Sequence, residues 1–214
     1  MIIYHNVTER HPRRGGSGGL SRYRGDLVMT LQSVLRLALA DRGGWDELKR
    51  IPRPLARLFL RVVLPLSLLP PAMVYYAGTY HGESFVVGFS GKPWLPIAIT
   101  FLLANWVTVA GMGWVIKAIA AANRVRCEYR DAYMLAMLSP IPLWLSSLTL
   151  VIPSLSLAAG VSMIALVTST GITYHGVRSL CRENEEVVVA SVTHGIVAVG
   201  LMAWALLLVL IIPV

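Results

Sequence analysis

Forty-six consecutive residues, Ala132 to Val177, contain no Asp, Glu, Lys or Arg. A helix crosses the roughly 30 Å hydrocarbon core of a bilayer in about 20 residues, so this run is about twice the length of one span. Close to its midpoint stands a polar, helix-breaking patch, Ile152-Pro153-Ser154-Leu155-Ser156. Proline lacks the backbone N–H that continues a helix and disfavours helix at the residue before it. The spacing predicts a helical hairpin, Tyr133–Val151 crossing and Leu155–Tyr174 returning, with a very short turn. Arg130-Asp131 and Arg178 bracket the run, which places both open ends on one side of a membrane.

The whole chain agrees with that reading. Of 214 residues, 56% are hydrophobic and 14% charged, with a mean hydropathy of +0.64. Soluble domains carry about 25% charged residues, so lipid is the expected solvent for most of the surface. No stretch outside the apolar runs is long enough for a second core, and one membrane domain is expected. The net charge of +8 reads as topogenic, by its placement, with no nucleic-acid partner implied.

Residues 1–25 hold the run His11-Pro12-Arg13-Arg14-Gly15-Gly16-Ser17-Gly18-Gly19, which cannot bury enough apolar surface to order itself. A disordered basic tail is expected, without the apolar segment of a signal peptide, and Met29 is an alternative start to Met1. Residues 26–56 follow as a juxtamembrane segment. Leu27, Val28, Leu31, Val34, Leu35, Ala38 and Leu39 recur at helical spacing, with Asp26 as N-cap and Gly43-Gly44 as a stop. Leu27–Ala40 is too short to span, so it is expected to lie on the membrane surface or to pack on the bundle. A second short helix is expected over Trp45–Arg50, before Pro52 and Pro54.

Residues 57–214 then read as five spans, at about 58–80, 94–116, 133–151, 155–176 and 188–212. Pro65, Pro70 and Pro71 predict a kinked or partly unwound first span, tolerated where neighbours satisfy the freed carbonyls. In the second span Ala104, Thr108 and Gly111-Met112-Gly113 are slim enough to admit another helix. The fold class is therefore all-α, a polytopic membrane helix bundle with an N-terminal amphipathic surface helix.

Charge sets the orientation. The chain through Arg61 holds twelve basic residues, the loop Lys117–Asp131 four and the loop Arg178–Glu186 two, whereas the opposite side holds Lys92 alone. By the positive-inside rule the N-terminus is cytoplasmic and the C-terminus outside. That implies a multi-pass plasma-membrane protein, in a bacterium an inner-membrane protein. Cys127 and Cys181 then fall in cytoplasmic loops, where reduced thiols are expected over a disulfide.

Candidate functional groups are the polar residues inside the spans: Asn105, Thr108, Thr170, Tyr174, His175 and His194, among further hydroxyls at Ser162, Thr168, Ser169 and Thr173. Such residues are costly in lipid and mark functional sites, but Asn, Ser and Thr also join helices, at roughly 0.6 kcal/mol per bond. His175 and His194 have no carboxylate or cysteine placed to complete a three- or four-ligand metal set, so no metal and no cofactor is expected. His-Glu-x-x-His, Gly-x-Ser-x-Gly and phosphate-cradling glycine loops are missing, and no base lies within a turn of Ser139, Ser146 or Ser147. A non-enzyme is expected. A small-solute or ion permease is the alternative. It would be lined by Asn105, the fourth-span hydroxyls and His194, with Thr108–Gly111 and Thr168–Gly171 hinting at a parallel repeat.

Several motifs point further. Arg130-Asp131-Ala132-Tyr133 leads into a span containing Ser139-Pro140-Ile141-Pro142, Ile152-Pro153 makes the turn, and Tyr174-His175-Gly176-Val177 ends the return helix. Upstream stands Arg42-Gly43-Gly44-Trp45-Asp46-Glu47-Leu48, with glycines where proline is usual. In order and topology the stretch Leu31 to Val209 resembles the Yip1 domain family in its bacterial, five-span form. The family-motif positions are Tyr133, Pro140, Pro142, Pro153, Tyr174 and Gly176. The resemblance implies a membrane adaptor or organiser working through its cytoplasmic loops. Its partners would be the bilayer, anionic lipids at the cytoplasmic surface, and another protein or a second copy of the chain. Eukaryotic members are associated with Rab GTPases; no Rab-binding motif stands in this chain, so that role is not carried over.

Overall fold

The computed structural model of the chain describes residues 56, 59–85 and 91–211. The basic tail, the amphipathic stretch Leu27–Ala40 and the short helix expected over Trp45–Arg50 lie outside the described residues. The described residues are mostly helical, with no strand among them. A π-helical turn, Phe59–Val63, leads into α1 (Leu64–Ser67) and α2 (Leu69–Phe85), followed by α3 (Trp94–Ala122), α4 (Tyr129–Leu138) and α5 (Ile141–Ser146). A 3₁₀ turn, Ser147–Val151, α6 (Leu155–Leu180) and α7 (Glu186–Ile211) complete the order.

Four of these helical stretches are long and apolar enough to cross a membrane: Trp94–Ala122, Tyr129–Val151, Leu155–Leu180 and Glu186–Leu207. The first crossing is the interrupted set from Phe59 to Phe85, and its interruptions have a local cause. Pro65 cannot donate to the Arg61 carbonyl, and the chain widens into a π turn there; Pro70 and Pro71 withdraw two more donors, and regular helix breaks at Leu68. The helices also run past the apolar stretches that define the spans. α2 includes His81 and Glu83, and α3 carries Lys117 on its last turns, since backbone hydrogen bonding does not stop at the hydrocarbon boundary.

The third crossing is the axis of the bundle. Ala132, Met134 through Leu138, Ile141 and Trp144 are all buried, so α4 and α5 are covered on nearly every side. The outer helices keep their leucines and valines outward: Val107, Ile164, Val167 and Leu206 are all mostly exposed. That is the surface a bundle presents to lipid. Ser139-Pro140 breaks the central helix between α4 and α5, and Ile152-Pro153 closes it. The Ser154 hydroxyl then caps α6 by accepting from the Leu157 N–H at 3.4 Å.

Close approach is tightest at two glycines. A methyl group on Gly113 of α3 would enter the Tyr133 ring, and one on Gly78 of α2 would enter the Trp94 ring, whereas Gly111 faces open space. Of the small residues in the second span, Gly113 is the one that seats another helix's ring.

Candidate functional site

The polar residues inside the spans gather into two junctions at proline-broken backbone. Pro71 leaves the Ser67 carbonyl without the N–H that would complete its helical bond. The Asn105 side-chain amide, from α3, donates to that carbonyl at 3.4 Å. The Asn105 oxygen in turn accepts from the Trp144 indole N–H of α5 at 3.3 Å. Beside them the Trp106 indole donates to the fully buried Ser67 hydroxyl at 3.1 Å, and that hydroxyl donates to the Leu64 carbonyl at 2.9 Å. Three crossings are joined here around one defect.

The second junction lies at the Ser139-Pro140 break. The Ser169 hydroxyl of α6 donates to the Ser139 carbonyl at 2.6 Å. Thr173 donates to the Ser169 carbonyl at 2.9 Å, so the 2.7 Å contact between Ser139 and Thr173 has Ser139 as its donor. Thr173 and Ser169 are buried.

The remaining candidates turn back on their own helices. Thr108, Thr168 and Thr170 donate to the carbonyls four residues earlier, Ala104, Ile164 and Leu166, at 2.8–2.9 Å. His194 is exposed on α7 with Nδ1 2.7 Å from the Ala190 carbonyl, and His175 packs edge-on against Tyr174 at 5.5 Å. The structure brings Asn105 together with Ser67 and Trp144, not with the fourth-span hydroxyls or the histidines. Among the described residues no three His, Cys, Asp or Glu side chains group as a metal site. Ser67 and Trp144 were missed in the sequence, although a serine four residues before Pro71 marks a carbonyl in need of a donor.

The loops at the Lys117–Asp131 end converge. α3 ends in a reciprocal turn, with Arg124 N–H to the Ala121 carbonyl and Val125 N–H to the Ala120 carbonyl, and Arg124 at φ 62° takes the left-handed position usually given to glycine. Past the end of α6, where the Cys181 N–H bonds the Val177 carbonyl, Arg182 also takes a left-handed φ, 54°. These turns bring Cys127 and Cys181, 54 residues apart in sequence, to a Cα separation of 4.4 Å, and the two are joined as a disulfide. Where reduced thiols were expected, the structure holds the oxidised pair: the expectation rested on compartment alone, and the convergence of the loops cannot be read from cysteine spacing. Asn123 accepts from Ser191 at 3.0 Å, and Arg178 and Glu186 approach to 3.8 Å, so α7 is fastened to the same face.

Near that end the π turn, α3 and α4 enclose an apolar groove of about 680 Å³, lined by Phe59, Leu60, Trp106, Val109, Tyr129 and Tyr133 among others. The Tyr133 hydroxyl donates to the Ala110 carbonyl at 2.6 Å, and Lys117 stands 5.7 Å from the Tyr129 ring.

The model of the Yip1 domain matches residues 37–207. The chain belongs to the Yip1 domain family. No curated protein and no solved structure matches it significantly. The Yip1 motif positions occupy structural pivots: Tyr133 lies over Gly113, Pro140 stands at the break in the central helix with Pro142 in the first turn of α5, and Pro153 forms the turn into α6. Tyr174 is half-buried beside His175, and Gly176 is buried in α6. The protein is a multi-pass integral membrane protein in contact with the bilayer.

Proposed function

We propose that the chain is a non-enzymatic membrane adaptor or organiser working through the face that carries the Lys117–Asp131 and Arg178–Glu186 loops, and that this face is cytoplasmic. The observation that carries the reading is the division of labour among polar groups. Asn105 and Ser169 bond at helix defects and Thr108, Thr168 and Thr170 bond on their own helices, while in the five-span reading of the sequence eighteen of nineteen basic residues fall on one side. A cationic face of that kind attracts anionic lipid by about 1 kcal/mol per Lys or Arg near the surface, and its loops offer side chains to a protein partner or a second copy of the chain. A photo-crosslinking residue at Arg126 or Arg182 should trap a discrete partner in native membranes, and one at Lys92 should not. Solute or ion flux through liposomes holding the pure protein, lost in Asn105→Leu or His194→Ala, would replace this reading with a permease.

A further inference from the structure

Cys127 and Cys181 are the two cysteines of the chain, and they meet on the face just assigned to the cytoplasm. Disulfides in that compartment are mostly transient, catalytic or redox-sensing. The geometry points to a reversible redox-modification site, in which Cys127 and Cys181 exchange with a low-molecular-weight disulfide and so fasten or release the two loops. The inference rests on the orientation given under Proposed function.

The two thiols are unequally placed. Cys127 is half-buried in the open segment between α3 and α4, whereas Cys181 is 4% exposed at the end of α6. Access decides which sulfur a small disulfide reaches first. The Cys127 thiolate attacks one sulfur of R–S–S–R, forming a mixed disulfide and expelling R–S⁻, which takes up the proton that Cys127 lost. The Cys181 thiolate then attacks the Cys127 sulfur and expels the second R–S⁻, protonated likewise. Two protein thiols are oxidised, one external disulfide is reduced to two thiols, and nothing else is consumed. Reduction by a dithiol runs the same steps backwards.

The bond fastens the Val125–Glu128 segment to the C-terminal end of α6. In the dithiol form that link is gone, and this face keeps the buried Val125 and Leu180, the Asn123–Ser191 hydrogen bond at 3.0 Å and the Arg178–Glu186 pair at 3.8 Å. The loops that present Arg124, Arg126 and Arg182 are thereby tied to each other at Cys127 in one state and held by packing and the two polar contacts alone in the other.

The test is thiol counting on the full chain in membranes. Cells quenched in acid and treated with a mass-tagged maleimide should show two tags per chain. Exposure of inside-out vesicles to oxidised glutathione should bring this to none, without a change to dimer mobility, and dithiothreitol should restore two. In Cys181→Ser the same oxidant should leave Cys127 as a mixed disulfide with glutathione, whereas Cys127→Ser should leave Cys181 mostly free. Two tags that persist through oxidation, or none in growing cells whatever the reductant, would overturn the proposal. Exchange with oxidant in right-side-out vesicles alone would instead overturn the orientation, and the proposal with it.

Discussion

Replacing Asn105 by leucine removes one side chain of similar size and two bonds between crossings. The lost bonds are those to the Ser67 carbonyl at 3.4 Å and from the Trp144 indole at 3.3 Å. Both are long, so each belongs near the membrane-protein average of about 0.6 kcal/mol, together about 1.2 kcal/mol. Trp144 is 4% exposed, and its indole N–H would be left without this partner; a buried donor left unmade costs about 1–3 kcal/mol in water-soluble proteins, less where the unfolded chain stays in lipid. A loss of about 1–2 kcal/mol is expected for Asn105→Leu. Thr108→Val provides the control on the same helix, because its hydroxyl bonds the Ala104 carbonyl of its own helix; it should change stability by less than about 0.5 kcal/mol. Unfolding in mixed micelles by added sodium dodecyl sulfate, followed by tryptophan fluorescence, reads both. Asn105→Leu as stable as the parent, or Thr108→Val equally costly, would refute the assignment of Asn105 to repair of the Pro71 defect.

Gly113→Leu drives a side chain into the Tyr133 ring and should cost about 1–3 kcal/mol in the same titration, whereas Gly111→Ala, facing open space, should be neutral or stabilising. Arg124→Gly relieves a left-handed arginine at φ 62° and should stabilise by about 0.5–1 kcal/mol; a loss would mean that the arginine side chain contributes more than its backbone costs. Glu186→Gln weakens a pair at 3.8 Å whose glutamate is 76% exposed, and thermal unfolding should shift by no more than about 0.5 kcal/mol allows.

Much of this architecture is legible in the residues because lipid permits few solutions. Uncharged length marks the four long apolar helices, and Pro153 marks the hairpin turn between two of them. The kink at Pro70-Pro71 was equally readable. Its repair by Asn105 and Trp144 was not, since that depends on which helix faces which and at what height. The same holds for Cys127 and Cys181. Their shared side follows from counting charges, but a 4.4 Å approach follows from two helix ends turning toward each other through left-handed arginines. Neither arginine carries a sequence signal, because glycine is the residue that normally marks such a turn. The direction in which His194 points was equally hidden: it sits in an apolar run, and its helix turns it outward.

Five crossings, with both cysteine loops on one side and the C-terminus on the other, underlie everything proposed for this protein. Fusing a reporter that is active only outside the cytoplasm after Val214, at Asn123 and at Asn184 tests that arrangement directly. Activity after Val214 alone, with silence at Asn123 and Asn184, is the expected result. Activity at Asn123 and Asn184 with silence after Val214, or activity at all three, would contradict it.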